Sequence, residues 1–318
     1  MSDFRVVSYN VRYFGHGTRG LLSTASAFHG ITGALSALDP PADIVCLQEV
    51  ETASIRSNFL HPRSHAAETQ LDRLLAALDL AMRRVGRNDV YDGHYFPAHD
   101  YRIPGARSSF YTTGLAILVR RPLRLSRHNA HQPFDITHRG RRVRTHAGDA
   151  KPWLKQTRIC AHAAFEHPSG ATIDLFNTHL SLPAFSSAEF WTKPERMGHG
   201  PNQLEEAREL ARFVDAERTS DRFLVVGDFN SLPGSPVYGF LTDKFGLADP
   251  LQGKLGDLES LRRFPTAGFM HLRMHLDHIL SGPGIRWRDL EGTRPFGDRE
   301  SPFHGLSDHS PLIGRFTI

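Results

Sequence analysis

The sequence contains little cysteine and no long apolar stretch. Its two cysteines, Cys46 and Cys160, each lie inside an apolar run of the 318-residue chain, so neither a disulfide framework nor a thiolate metal site is expected. No segment approaches the ~20 apolar residues of a membrane-spanning helix. The chain opens on a strand-like run rather than on the basic and apolar regions of a signal peptide. We therefore predict a soluble, cytoplasmic protein without stable membrane association.

Lysine is also scarce. Only five of the 38 basic residues are lysine, and the others are arginine. An arginine surplus suits planar, bidentate contacts with phosphates, although a GC-rich coding bias would produce the same composition. The 34 acidic residues leave a formal net charge of +4, which is too small to identify a class of partner. Charge alone therefore leaves the function open.

The hydrophobic residues predict a mixed α/β (α+β) fold. Short apolar runs bounded by Gly, Pro, Asn or Asp are typical of β-strands, and helical spacing of apolar residues predicts helices between them. Because no Pro/Gly/Ser-rich linker interrupts this pattern, we expect one domain spanning residues 1–318. The predicted strands are 4–11, 43–50, 115–119, 159–165, 172–180, 223–227, 276–280 and 311–318, and the predicted helices are 71–85, 204–214 and, more weakly, 23–38.

Two stretches show neither the apolar runs of strands nor the helical spacing of apolar residues. They are predicted to be long loops, which are often functional in compact domains. Residues 120–148 carry eight arginines against one acidic residue, Asp135. Residues 181–202 contain three large aromatic side chains, those of Phe185, Phe190 and Trp191.

Polar residues at the ends of the predicted strands are the most informative feature. Each one alone is readily explained as a cap or a turn, but together they indicate a site presented by a sheet scaffold. The set is rich in oxygen ligands and contains no cysteine, which favours Mg²⁺ or Mn²⁺ over Zn²⁺. Metal-assisted attack of water on a phosphate ester fits this chemistry. The residues are Asn10, Glu49, His179, Asp228, Asn230, Asp277, Asp308 and His309.

These residues lie in short motifs that resemble, in their order along the chain, those of the endonuclease/exonuclease/phosphatase superfamily, also called the DNase I-like or exonuclease III-like fold. The resemblance covers residues 8–311. It implies a four-layer sandwich of two mostly antiparallel β-sheets flanked by helices, with the site at one edge between the sheets. The motifs are Ser8-Tyr9-Asn10, Leu47-Gln48-Glu49, Asn177-Thr178-His179-Leu180, Gly227-Asp228-Phe229-Asn230, Leu276-Asp277-His278-Ile279 and Ser307-Asp308-His309.

The resemblance also implies roles for the motif residues. Glu49 would bind Mg²⁺ or Mn²⁺ with Asn10 beside it, and Asp308 would lie near the metal. No protein partner is implied.

The remaining motif residues would perform the proton chemistry. Asp228, with Asn230, would orient or deprotonate the attacking water. Asp277 would hold the orientation and tautomer of His309. His179 would contact the phosphate or protonate the leaving oxygen.

The substrate class stays open between several alternatives. Arg12 and the segment Thr112-Thr113-Gly114 depart from the pattern of abasic-site enzymes, and the later motifs are more similar to a branch with mixed substrates. We expect a phosphodiesterase that acts on DNA or RNA. The alternatives are a phospholipid or sphingomyelin-type phosphodiesterase, a small-molecule phosphatase and a non-catalytic binding protein.

Nucleic acid is preferred as the substrate because many dispersed cationic side chains bind a polyanion favourably by releasing its counterions. The candidate substrate-binding residues in 120–148 are Arg139, Arg141, Arg142 and Arg144, although a solvated hairpin would have the same composition. Lys155 and Arg158, before the strand at 159, are expected to be solvated surface.

Overall fold

The structure, a computed structural model, describes residues 3–52, 54, 57, 69–101, 109–137, 156–182 and 196–318. Its strands are β1 Asp3–Asn10, β2 Ile44–Val50, β3 Tyr91–Tyr101, β4 Tyr111–Arg120, β5 Arg124–His128, β6 Phe134–Asp135, β7 Ile159–Glu166, β8 Thr172–His179, β9 Phe223–Asp228, β10 Ala267–Phe269, β11 Leu272–Met274, β12 Asp277–Ser281, β13 Arg286–Asp289 and β14 Leu312–Thr317. Its α-helices are α1 Ala25–Ser36, α2 Gln70–Arg84, α3 Pro201–Glu217, α4 Pro236–Gly239, α5 Pro250–Leu255 and α6 Leu258–Arg262, with a π-helical turn at Phe240–Lys244 and 3₁₀ turns at Arg12–Phe14 and His16–Thr18.

The strands form two mixed sheets. The first has the strand order β13-β14-β1-β2-β4-β3, and the second has the order β12-β9-β8-β7-β5 with β6 paired to β7. Each sheet contains one parallel pair, β1–β2 in the first and β8–β9 in the second, among antiparallel neighbours. A separate hairpin joins β10 and β11.

The two sheets pack face to face because the strands are apolar on their inner faces. Ile44 and Ile117 of the first sheet share one core with Phe165 and Leu224 of the second. The outer faces are apolar too: α1 and α2 cover the first sheet around Leu118, and α3 and α4 cover the second. The result is four layers, helix, sheet, sheet and helix, which confirms the expected fold.

All eight predicted strands are present, and the three predicted helices occur within a few residues of their expected bounds. The prediction of one continuous loop at 120–148 was wrong in its described part, because β5 and β6 lie there as short strands at the edge of the second sheet. β3 was also missed. Its side chains are mostly half-buried, so its sequence lacks the apolar run that marked the inner strands.

One pair of amides crosses between the sheets directly behind the site. Gln48 Nε2 donates to Asn177 Oδ1 at 2.8 Å, and Asn177 Nδ2 donates to the backbone oxygen of Leu47 at 3.1 Å. Both amides are fully buried, where each hydrogen bond lost would be costly, and Gln48 Oε1 has no partner among the described residues. This contact therefore holds the ends of β2 and β8 in register with each other. In the described residues we find no helix with the length and apolar character needed to cross a membrane.

Candidate active site

The polar residues singled out in the sequence meet at one edge of the sandwich. The parallel strands β1 and β2 of the first sheet and β8 and β9 of the second all end at this edge, and they carry Asn10, Glu49, His179 and Asp228 there. Asp277 opens the antiparallel strand β12 directly opposite Asp228. Strand direction thus brings side chains from distant parts of the chain into one cleft.

Asn10 links the two sheets within this cleft. Its Nδ2 donates to Asp228 Oδ2 at 3.1 Å and to Glu49 Oε1 at 3.3 Å. Its Oδ1 accepts the backbone N–H of Arg12 at 3.0 Å, which fixes the orientation of the amide. One amide group therefore keeps two carboxylates of opposite sheets within a few ångströms of each other.

Glu49 occupies an unusual backbone position. It has a φ of 55°, in the left-handed region that is rare for residues other than glycine, and the pairing of β2 with β4 shifts register there. Strain of this kind concentrates at functional sites, because the surrounding structure must hold it. Burial raises the pKa of Glu49, and the charge of Asp308 raises it further, whereas His309 and Asn10 oppose the shift. No lysine or arginine of the described residues forms an ion pair with this carboxylate.

His309 lies between two carboxylates. Its Nδ1 is 2.8 Å from Asp277 Oδ2, and its Nε2 is 3.7 Å from Asp228 Oδ2. Burial by itself lowers the pKa of His309, but Asp277 and Asp228 outweigh burial, so this pKa lies well above its usual range. The predicted pairing of Asp277 with His309 is present in the structure.

Asp228 is the centre of the hydrogen-bonded group. Besides Asn10 and His309 it faces His179, whose Nε2 lies 3.5 Å from Asp228 Oδ2. Burial raises the pKa of Asp228 to about 7; His309 opposes this shift, and Asp277 adds to it. A carboxyl group with this pKa exchanges a proton readily near neutral pH.

Burial lowers the pKa of His179 well below its usual range, and the positive charges of Arg158 and His309 lower it further. The His179 imidazole is therefore neutral at pH 7 and is equipped to donate or accept one hydrogen bond at each ring nitrogen. His179 and His309 thus face the same carboxylate in different charge states.

The turn after β9 is held by hydrogen bonds from both sides. The Asn230 backbone N–H donates to Asp228 Oδ1 at 2.9 Å, and Asn230 Nδ2 donates to the backbone oxygen of Leu180 at 2.9 Å. Asn230 has a positive φ of 47°. Gln203 Nε2, from α3, donates to the backbone oxygens of Ser181 and Asn230 at 2.6 and 2.9 Å. Gln203 was not singled out in the sequence, because its only signal there is a place on a helix.

Asp308 lies at the rim of the cleft and is partly accessible. Its Oδ2 forms an ion pair with Arg12 Nη1 at 2.9 Å. Its effect on the pKa of Glu49 places Asp308 within electrostatic range of that carboxylate. Asp308 is thus near Glu49 but is partly neutralised by Arg12.

Arg158, which was expected to be solvated surface, lies beside His179. Its side chain lines a narrow pocket with His179, Thr113 and Gly114, and its Nε is buried without a hydrogen-bond partner. Two hydrogen bonds to Thr137 fix its backbone at 2.7 and 3.3 Å. Arg158 is half-buried rather than solvated, and within the described ranges it forms no ion pair. An unpaired guanidinium in such a pocket is suited to bind a phosphate oxygen.

Two groups of oxygen and nitrogen donors in the cleft have the chemistry to hold a cation. One ligand atom each from Asp228, Asp277 and His309 lies within 4.8 Å of the others. The hydrogen bond between Asp277 and His309 explains most of that proximity without a metal. Glu49 and Asn10 offer oxygen donors, and no Lys or Arg of the described residues forms an ion pair with the Glu49 carboxylate. The donor chemistry of Glu49 and Asn10 is therefore the better match to a hard divalent cation.

The candidate substrate-binding residues Arg139, Arg141, Arg142 and Arg144 lie outside the described residues. The same holds for the three aromatic residues of the second predicted loop, Phe185, Phe190 and Trp191, and for Lys155.

The model of the Endonuclease/Exonuclease/phosphatase family matches residues 7–309. No curated protein matches the sequence.

Solved structures of the same fold cover almost the whole chain. The catalytic domain of human Nocturnin, with a bound sulfate anion, has a TM-score of 0.61 and 19% identity, covering 99% of this chain and 94% of that chain. An endonuclease/exonuclease/phosphatase family protein from Leptotrichia buccalis has a TM-score of 0.63 and 14% identity, with 99% and 100% covered. ANGEL2, a 2′,3′-cyclic phosphatase, has a TM-score of 0.58 and 17% identity, with 99% and 95% covered. At these identities the likeness concerns the fold alone.

Proposed function

The chain belongs to the endonuclease/exonuclease/phosphatase family, and from that premise we propose that it is a metal-dependent phosphodiesterase acting on DNA or RNA. The observation that carries the proposal is the row Asp277–His309–Asp228 beside Glu49, in which His309 is hydrogen-bonded to Asp277 and lies 3.7 Å from Asp228. The pKa values of its groups are shifted to different extents, and the groups converge on one cleft. Water activation and phosphate stabilisation require such an arrangement.

Glu49 and Asn10 would hold the metal, Mg²⁺ or Mn²⁺, with Asp308 close by. Glu49 supports this assignment because it is a half-buried carboxylate without an ion-pair partner in the described part of the chain. When bound, such a cation would polarise the phosphate and offset the negative charge that develops on it.

The proton chemistry would fall to the residues around Asp228. With its pKa near 7, Asp228 would accept a proton from the attacking water, while Asn230 keeps its second oxygen oriented. His309, held by Asp277 and with a raised pKa, would stay charged and stabilise the phosphate oxygens. His179 would donate a hydrogen bond to the phosphate or to the leaving oxygen.

Arg158 would bind a phosphate oxygen from the side of the second sheet. Its guanidinium has no carboxylate partner among the described residues, and it shares a pocket wall with His179. Arginine binds phosphates in a bidentate geometry that lysine does not reproduce.

The test is hydrolysis by the purified protein with Mg²⁺, with Mn²⁺ and with a chelator. The substrates are plasmid DNA, RNA oligomers, sphingomyelin, bis-p-nitrophenyl phosphate and, because one structural neighbour is a 2′,3′-cyclic phosphatase, a 2′,3′-cyclic nucleotide. We expect metal-dependent cleavage of nucleic acid and of the small diester, with Asp228→Asn as the inactive control. Cleavage of sphingomyelin alone would favour the lipid alternative, and no hydrolysis of any substrate would favour a binding protein.

The preference for nucleic acid has its own test. Neutralising Arg139, Arg141, Arg142 and Arg144 should weaken binding to oligonucleotides and reduce its salt dependence. Neutralising four arginines outside that stretch, for example Arg83, Arg84, Arg286 and Arg288, gives a charge-matched control. Equal oligonucleotide binding by the parent and the first variant at low salt would remove these arginines from the substrate path.

We further propose that residues 1–318 act as one catalytic domain, which is supported by the pairing of β1 with β14 near the two ends of the chain. The cytoplasmic location stays a prediction.

A further inference from the structure

An aromatic cluster lies on the β3–β4 hairpin, beyond the hydrophobic core and toward the edge that carries the site. Its members are Tyr101, Phe110 and Tyr111. The rings of Tyr101 and Tyr111 are stacked, with centroids 5.2 Å apart and planes 13° from parallel. Phe110 meets Tyr101 edge-on at 6.4 Å and is 45% exposed. Phe110 is therefore the most exposed ring of the cluster, whereas Tyr101 and Tyr111 are half-buried.

The cluster lies on the same two strands as residues beside the narrow pocket of Arg158 and His179. In the β3–β4 ladder Tyr101 pairs with Tyr111, and His99 pairs with Thr113, one of the residues that line the pocket. Tyr111 and Thr113 are two residues apart on one strand, so they point to the same face and are separated by roughly 7 Å along it.

His99 connects this face to the second sheet. The Thr157 backbone N–H lies 3.4 Å from His99 Nδ1, directly before Arg158 in the chain. Electrostatic coupling between His99 and Arg158 places the imidazole and the guanidinium near each other. The aromatic cluster, His99, the Arg158 guanidinium and His179 thus follow one another across neighbouring strands.

We propose that the aromatic cluster of Tyr101, Phe110 and Tyr111 is a stacking site for a base of single-stranded nucleic acid, adjacent to the phosphate that Arg158 and His179 contact. This inference rests on the proposed function and narrows its substrate class. Single-stranded nucleic acid carries a flat ring and a phosphate within a few ångströms of each other, and the surface offers one complement to each. Stacking on aromatic side chains is the common mode of single-strand binding and tolerates any base.

The test is direct binding, measured by fluorescence anisotropy in a His309→Ala background with Mg²⁺ so that cleavage does not interfere. The probes are a short single-stranded DNA oligomer and an abasic oligomer with the same number of phosphates. The variants are Phe110→Ala and Tyr101→Ala, with Phe110→Trp as the conservative variant. Leu80→Ala is the matched control, because Leu80 on α2 is also 45% exposed but lies away from the hairpin.

We expect the base-bearing oligomer to bind more tightly than the abasic one, and Phe110→Ala or Tyr101→Ala to weaken only the former, by roughly 10- to 100-fold. Phe110→Trp and Leu80→Ala should bind like the background protein. Because Phe110 is exposed, its truncation is informative even if Tyr101→Ala fails to fold.

Equal binding of the two oligomers, or unchanged binding in Phe110→Ala, would overturn the stacking site. So would binding to sphingomyelin vesicles that depends on Phe110, which would assign the cluster to a membrane. The proposed function is tested separately by hydrolysis of bis-p-nitrophenyl phosphate by the parent, so a catalytically active protein without base preference would refute this inference alone.

Discussion

Two buried histidine–aspartate pairs in the second half of the molecule have nearly the same geometry but different surroundings. His309 lies 2.8 Å from Asp277, and His162 lies 2.9 Å from Asp174. The side chain of His309 is 12% exposed at the cleft, whereas that of His162 is 2% exposed. The distance within the pair therefore does not distinguish a catalytic pair from a structural one.

The difference lies in what else each pair contacts. The second nitrogen of His309 faces Asp228 in the cleft at 3.7 Å. The His162 ring instead stacks on Phe176 at 4.6 Å, and Asp174 accepts two hydrogen bonds of 2.7 Å from Thr219. A histidine that faces the cleft, such as His309, can interact with a substrate. His162 packs against aromatic rings in the interior and can only stabilise the fold.

Removing His309 should have the largest effect on activity. His309→Ala is expected to lower kcat by on the order of 10²–10³, the usual cost of removing one donor that stabilises developing charge. The measurement is steady-state hydrolysis of a small diester at saturating metal. His162→Phe is the control, because it should leave kcat of the folded protein near the parent value. A loss of kcat in His162→Phe as large as in His309→Ala would break the comparison.

Removing the carboxylate of the structural pair should instead affect stability. Asp174→Asn is expected to lower the free energy of unfolding by about 3 kcal/mol, because it breaks a buried pair and disturbs the bonds from Thr219. Urea unfolding measures this loss. Activity under strongly native conditions should be retained, and unfolding unchanged from the parent would contradict the assignment of this pair to the fold.

His275 extends the comparison to a buried histidine that hydrogen-bonds to a backbone oxygen rather than to a carboxylate. Burial, with help from His278, lowers the pKa of His275 to about 4. The unfolded chain therefore binds a proton at this residue between pH 6.5 and 4 while the folded protein does not. The stability that His275 contributes is full above pH 6.5 and is lost as the pH falls toward 4, by about 3 kcal/mol in total.

Urea unfolding at several pH values between 7 and 4 measures how the free energy of unfolding depends on pH. His275→Gln should make this dependence weaker. An equally steep loss of stability in the variant would assign the acid sensitivity to other groups.

Glu49 differs from Asp277 and Asp174, which each pair with a histidine, because it has no cationic partner among the described side chains. Glu49→Gln should keep the fold and remove most of the thermal stabilisation by Mg²⁺ or Mn²⁺, which for a bound ligand at 100 times its Kd amounts to about 2.7 kcal/mol. Thermal melts with and without metal, together with titration calorimetry, give the result. Glu209→Gln, on the exposed face of α3, is the control. Metal binding to Glu49→Gln at parent affinity would remove Glu49 from the ligand set.

Much of the fold was predictable because the inner strands are apolar on both faces. Val6 points into the core between the sheets, and Val7 packs under the helices of the outer layer, so β1 is a continuous apolar run. Runs of this kind end where a polar residue begins, and for that reason Asn10, His179 and Asp228 were visible as strand ends.

The edge strands were not predictable in the same way. β5 reads Arg-Leu-Ser-Arg-His and is mostly exposed, so its residues are those of a loop until a neighbouring strand pairs with them. The short helices after β9 escaped prediction because each spans only one or two turns. They depend on caps such as Ser235 and Asp249 and on packing rather than on a periodic pattern.

The sequence alone determined which residue types stand at the strand ends, and this was enough to indicate the family, the four-layer fold and the candidate site residues. Only the tertiary structure decided their partners and their protonation. Asn10 and Asp228 are 218 positions apart and form a hydrogen bond because two parallel strand pairs, one in each sheet, end at the same edge. The raised pKa of Asp228 and the lowered pKa of His179 both result mainly from burial between the sheets, which exists only once the sheets have packed.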